Sequence, residues 1–229
     1  MKIGIITFHR ILNYGAVLQA YALCDTLREM GHQPFMIDYQ PDALRRTYQS
    51  FPVGKLFFTP AQLSYVLRWK RFRAFSKRYL PYSSESYDTL EELQRNPPEA
   101  DAYICGSDQI WSPRWLGGEY DPAYFLKFGG EIKRIAYAAS AGDVGMLKDE
   151  ETFSQLVSGF DRISVREERA VEFVEHAGPS AVACVVDPVF LKARYDELLG
   201  QEAAIKGRYT LVYSLLRKNL LEKTTAITT

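Results

Sequence analysis

The sequence predicts an α/β fold, a Rossmann-like parallel sheet with helices on both faces, on three observations. Short apolar runs alternate with amphipathic segments along most of the chain. The opening stretch, Lys2 to Tyr39, reads as strand, loop, helix, strand, which is the content of one βαβ unit. Polar residues recur just after the apolar runs, at the carboxyl ends of the predicted strands, where open α/β sheets place their ligands.

The first predicted strand carries Ile3, Ile5, Ile6 and Phe8, and a polar loop from His9 to Gly15 follows it. A helix is expected to start near Asn13 or Tyr14. Leu18, Tyr21, Ala22, Leu27 and Met30 form its stripe, and Gly31 is its stop. Phe35 to Tyr39 is the second strand. Residues 41–98 then interrupt the rhythm and read as a helical insertion. Within it, Thr59-Pro60-Ala61-Gln62 has the chemistry of a helix start. Tyr65, Trp69, Phe72, Phe75 and Tyr79 recur every three or four residues until Pro81, among Arg68, Lys70, Arg71, Arg73, Lys77 and Arg78. A short helix is expected after Asp88, with Glu91 completing a capping box.

The α/β pattern resumes with a strand at Ala102–Cys105. Further strands are expected at Ile135–Ala139 and Ile163–Val165, and the apolar run Ala181–Val186 reads as a strand buried on both faces. Glu150–Gly159 and Glu167–His176 are the helices between them, and Arg194–Leu199 is a short helix or turn. Tyr209–Leu215 reads as a new strand. The expected organisation is a Rossmann-like domain over 1–200, with 201–229 the start of a truncated second α/β domain.

The chain has 229 residues, 28 basic and 28 acidic, for a net charge of +0. No global field therefore draws it to nucleic acid, and no nucleic-acid partner is expected. No segment has the apolar length of a membrane span, and Met1 leads straight into a strand rather than a signal sequence, so the expected location is cytoplasmic. Cys24, Cys105 and Cys184 are far apart without a CxxC, and read as buried free thiols. His9, His32 and His176 lack ligand spacing, so no metal is expected.

Asn13, the Gly106-Ser107-Asp108 turn, Ser140 to Gly142, Arg166 and Asp187 all follow predicted strands and would gather at one rim. Asn13-Tyr14-Gly15 sits where a phosphate loop would, but is neither GxGxxG nor GxxxxGK[ST]. Gly15 there either leaves room for an anion or hydroxyl-rich ligand at a helix N-terminus, or lets the helix pack closely on the sheet. Cys105 and Ser107 lack the elbow pattern and a placed histidine, which argues against a nucleophile. Arg166 can clamp phosphate or carboxylate, or pair with Glu167, Glu168 or another neighbour. Asp187 can orient an arginine, accept a substrate hydroxyl, or simply cap a turn. The basic face from Arg68 to Arg78 is a solvated face behind a core-facing stripe, or a contact for nucleic acid or a phospholipid surface.

Together, four stretches resemble the polysaccharide pyruvyl transferase family: Asn13 to Leu23, Gly106-Ser107-Asp108-Gln109-Ile110-Trp111, Ile163 to Glu167, and Val186 to Leu191. The resemblance implies two Rossmann-like domains in a glycosyltransferase-B-like arrangement. It implies transfer of a pyruvyl group from phosphoenolpyruvate, with no other cofactor, to a sugar or lipid-linked oligosaccharide of a cell-surface polysaccharide. Arg166 and Asp187 are then the catalytic candidates, Arg166 facing the donor. Asn13, Tyr14, Gly15, Gly106, Ser107, Asp108 and Gln109 are the substrate-binding candidates. In the family the second domain supplies a catalytic histidine that this sequence does not carry. The resemblance therefore implies a chain inactive alone and completed by a homo-oligomeric or separate partner, with peripheral membrane contact through its acceptor. A non-catalytic sugar- or partner-binding module, or a glycosyltransferase using a nucleotide-sugar, are the alternatives on the same scaffold.

Overall fold

The computed structural model describes residues 1–49, 60–143, 149–178 and 181–199. The expected cap at Thr59 and the expected strand at Tyr209–Leu215 lie outside them. Met1–Ala193 forms one compact unit. Beyond it, Asp196–Leu198 makes a single 3-10 turn.

Seven parallel strands form one sheet in the order β3-β2-β1-β4-β5-β6-β7. They are β1 (Lys2–Ile6), β2 (Gln33–Tyr39), β3 (Tyr82–Tyr87), β4 (Ala102–Cys105), β5 (Lys133–Ala139), β6 (Arg162–Val165) and β7 (Val182–Cys184). The helices are α1 (Tyr14–Glu29), α2 (Asp42–Gln49), α3 (Pro60–Tyr79), α4 (Leu90–Arg95), α5 (Glu150–Val157) and α6 (Glu168–Ala177). The chain winds outward from β1 through β2 and β3, then returns to β4 on the other side. Right-handed crossovers then place α1 and α3 on one face, and α5 and α6 on the other. The direction switches between β1 and β4, so a crevice opens above the carboxyl ends of those two strands.

α1 begins where expected, and the Asn13 carboxamide caps it by accepting from the Ala16 N–H at 3.3 Å. It ends in a Schellman motif: His32 N–H donates to Leu27 C=O and Gly31 N–H to Arg28 C=O, with Gly31 at φ +84°. The helix is buried more completely than a single stripe predicts. Ala16, Val17, Gln19, Ala20, Tyr21, Ala22, Leu23 and Cys24 are all inaccessible, whereas Met30 is exposed. The reason is α3, which covers a second side. Phe75 and Tyr79 stand edge-on to Tyr21 at 6.0 and 5.8 Å, and Phe72 packs on Tyr14 at 4.8 Å.

The insertion is not wholly helical. Its Tyr82–Tyr87 segment is β3, an edge strand along β2. The register slips between Met36 and Asp38, and there the Ser83 hydroxyl accepts the Asp38 N–H at 3.0 Å. Its run of Ser and Glu hides a strand with one solvated face. α4 starts one residue later than expected. Thr89 is the cap, accepting from Glu92 N–H, while the Glu92 carboxylate accepts from Asp88 N–H at 2.7 Å. This is a capping-box arrangement shifted by one, with the Glu92 carboxylate reaching the N–H just before the cap rather than that of Thr89 itself.

β7 also differs from expectation. It is three residues at the sheet edge, and only Val182 is buried; Ala183, Cys184 and Val186 are exposed. An edge strand lacks the second neighbour that would cover it. Consequently Cys184 is an exposed thiol, while Cys24 and Cys105 are buried. After β7 the chain returns to α1. There Lys192, almost fully buried, pairs with Asp25 and lies 3.4 Å from Glu29.

The largest fully buried side chain is Trp111. It stacks on Phe125 at 5.3 Å, meets Phe153 and Phe160 edge-on, and donates its indole N–H to Tyr124 C=O. This aromatic anchor holds the loop after β4 in place.

Candidate active site

The strand ends converge as the sequence suggests. Ser107, fully buried after β4, donates its hydroxyl to Asp187 Oδ2 at 2.8 Å. Arg166, after β6, donates through Nη1 to the same Asp187 oxygen at 3.2 Å and to Ser107 Oγ at 3.3 Å. Three strands thus contribute to one hydrogen-bonded cluster. Two of the alternatives left open for Asp187, orienting an arginine and capping a turn, are combined in it. One oxygen orients Arg166, and the other caps the Pro188–Phe190 turn by accepting Val189 N–H at 3.1 Å.

Arg166 also pairs with its sequence neighbour, donating from Nε to Glu167 Oε1 at 3.0 Å. Its Nη2 has no partner among the described residues and is the guanidinium edge left for a ligand. Despite burial, Glu167 and Asp187 raise the Arg166 pKa further, so the cation is permanent. Glu167 Oε1 additionally accepts from the Ser140 hydroxyl at 2.8 Å, and Glu167 Oε2 is buried without a hydrogen-bond partner. In the sequence Glu167 reads as an ion-pair neighbour of Arg166 and as the end of the third family-like stretch, without a site role of its own. Its position directly after Arg166, at the start of α6, was the available signal.

Asp108 sits beside this cluster in a strained backbone, at φ 126°. A bridge to Ala139 pins it, with Ser140 N–H donating to Asp108 C=O. Burial pushes its carboxyl up to about 6, opposed by the Gln109 N–H at 2.8 Å and by Arg166, and reinforced by Asp187. An acid that titrates near neutrality can both give and take a proton. Gln109 has a supporting role: its carbonyl accepts from the Trp115 indole at 2.6 Å, fixing the next turn. At Gly106 an added Cβ would lie 3.2 Å from Leu23 and 3.3 Å from Thr7, so glycine permits β4 to pass close to β1 and α1.

Asn13, Tyr14 and Gly15 lie at the same rim but make no recorded bond to the Ser107 cluster. Asn13 is spent on capping, and Tyr14 is exposed against Phe72. Gly15 is exposed, and a Cβ there would meet only Asn13 Oδ1, at 3.3 Å. Close packing on the sheet is therefore not the reason for this glycine.

A second group, absent from the sequence-based site, surrounds the end of β1. His9 is buried, and its Nδ1 lies 2.8 Å from Thr7 C=O, so that nitrogen carries the proton. Arg10 pairs with Asp38 at the end of β2. Burial alone would raise Asp38, but His9, Gln40 and Arg10 together hold it below its usual value. Thr7 joins the two groups, because its hydroxyl donates to Ser107 C=O at 2.6 Å and accepts from Gln19 at 3.0 Å.

A Rossmann-like α/β scaffold with an acidic, hydroxyl-bearing and cationic cluster at its switch-point rim defines the class of this protein. The sequence profile of the polysaccharide pyruvyl transferase family matches residues 13–225, and the chain belongs to that family. Searches of curated proteins and of solved structures returned no match. Among the described residues no helix is long and apolar enough to cross a membrane, and no group of three His, Cys, Asp or Glu is placed to hold a metal ion.

Proposed function

We propose that the chain, completed by a partner that supplies the second-domain groups, transfers a pyruvyl group from phosphoenolpyruvate to two hydroxyls of a cell-surface polysaccharide sugar, acting at the strand-end rim. The reading rests on the meeting of Ser107, Arg166 and Asp187, within a chain that the family profile matches over 13–225. The free edge of Arg166 takes the donor's carboxylate or phosphate, for which a planar guanidinium suits. Asp187, the carboxylate already accepting the Ser107 hydroxyl, is the group to accept a proton from an attacking sugar hydroxyl. Asp108 supplies a proton to the methylene carbon of the enol.

The chemistry balances without a redox partner. Protonation of the methylene carbon leaves the adjacent carbon electrophilic, and the first hydroxyl adds to it and loses its proton. Phosphate then leaves, carrying away the electron pair of its C–O bond. The second hydroxyl closes the cyclic ketal, and its proton leaves with the phosphate.

The test, run on the chain together with its completing partner and on the chain alone, which should be inactive, is phosphate release coupled to ketal formation, followed by mass spectrometry of a saccharide panel. The expected product is an acceptor bearing one ketal-linked pyruvyl group. Arg166→Lys should lower kcat/KM about a hundredfold while folding normally, because an ammonium loses the planar, paired contact. Wild-type rates in Arg166→Lys, or transfer from a nucleotide-sugar with none from phosphoenolpyruvate, would overturn the reading.

A further inference from the structure

We propose that a second pocket, between the end of β1, α3 and the start of β3, binds a phosphorylated pyranose. It has a volume of about 450 Å³, within the range that small-ligand pockets occupy. Trp69, Phe72 and Tyr82 supply its aromatic wall, and His9, Arg73 and Lys77 its polar groups. Trp69, Arg73 and Lys77 stand at four-residue intervals on α3, so one helix face carries a ring and two cations in a row.

The charge pattern specifies the ligand. Arg10 also lines the pocket, but Asp38 already neutralises it, and its guanidinium lies over the Tyr82 ring at 4.8 Å. Arg73 and Lys77 have no carboxylate partner among the described residues, and the two solvent-exposed cations line the cavity together. Two such cations suit a phosphate. An aromatic wall beside them suits the CH face of a sugar ring.

His9 supplies an independent indication. It is 1% exposed, and its Nδ1–H is committed to Thr7 C=O. Its other ring nitrogen is Nε2. That atom is buried without a hydrogen-bond partner, 3.7 Å from Asp38 Oδ1 and too far to bond it. A ligand hydroxyl, which both gives and accepts a hydrogen bond, satisfies Nε2 in either protonation state, and a pyranose presents several hydroxyls around its ring. The choice of a sugar accords with the proposed transferase, and the pocket would then hold the acceptor by a phosphate on its reducing end.

Calorimetry on the full chain tests this without turnover, so it can fail while pyruvyl transfer succeeds, or the reverse. A hexose 1-phosphate is expected to bind at least about tenfold more tightly than either free hexose or inorganic phosphate. Arg73→Ala with Lys77→Ala should weaken it by about tenfold or more, and Trp69→Ala by a similar factor. Arg166→Lys should leave its affinity unchanged. Hexose 1-phosphate binding no tighter than inorganic phosphate, or lost in Arg166→Lys but kept in the α3 variants, would overturn the proposal. So would retention on anionic phospholipid vesicles, abolished by the α3 variants, in a chain that binds no hexose 1-phosphate.

Discussion

Asp108 combines a left-handed backbone, burial and a carboxyl that titrates at about 6. Its folded pKa lies above the unfolded value, so the folded state binds the proton more tightly. The stabilising contribution is complete below about pH 4 and is lost as the pH rises through about 6. Asp108→Asn keeps the bond to Gln109 N–H and removes the charge. It should therefore raise stability at pH 7.5 by about 1–3 kcal/mol, with the gain vanishing near pH 4 in parallel thermal melts. The same variant should lose pyruvyl transfer if Asp108 is the acid. Equal melting-temperature gains at both pH values would show that the carboxyl is not destabilised by burial. That Asp108 and Asp187 follow strands is visible in the sequence. That one oxygen of Asp187 serves both Ser107 and Arg166 is not, because those residues are brought together only by the pairing of β4, β5, β6 and β7.

Among the elements, the segment after β7 is held to α1 by Lys192. Asp25 and Glu29 overcome the effect of burial and raise the Lys192 pKa. Lys192→Ala would leave Asp25, largely buried, with Arg28 as its remaining cation. A loss of about 1–3 kcal/mol in urea unfolding is expected, small in the Asp25→Asn background because the pair is then already broken. At the other end of α1, Asn13→Ala should cost about 1 kcal/mol through the lost cap. α1, α5 and α6 were legible from apolar periodicity, joined at α1 and α5 by the capping residues Asn13 and Asp149. β3 was not, since an edge strand of Ser and Glu has neither signal. β7 was over-read as buried, since an apolar run of that length does not reveal whether a second strand will flank it. Trp69, Arg73 and Lys77 form a pattern that was readable from spacing alone, but nothing in the sequence shows that β1 ends opposite it.

At the scale of the molecule, the reversal of strand order between β1 and β4 decides where chemistry can occur. Local patterns identified the parallel class, but strand order depends on long-range pairing, which no local pattern encodes. The order also sorts the thiols. Cys24 lies inside α1, where burial raises it to about 11, and Cys105 lies in central β4, where burial also raises it. Cys184 lies on the edge strand. A native-state titration with a thiol reagent should consume one equivalent rapidly, and the other two only after denaturation. Retention of the fast equivalent in Cys184→Ser would contradict this assignment.

Thr7 gives this architecture a property of measurement. Its carbonyl fixes His9 and its hydroxyl fixes the Ser107 turn, so the His9 pocket and the Ser107 cluster share one post. Neither can drift without the other. A molecule anchored by its charged end at Arg73 and Lys77, with a hydroxyl on His9, would then meet the reacting rim at one fixed reach, like a key cut to a single length. Under that reading, chain length between anchor and diol, rather than sugar identity alone, becomes a criterion by which substrates are chosen.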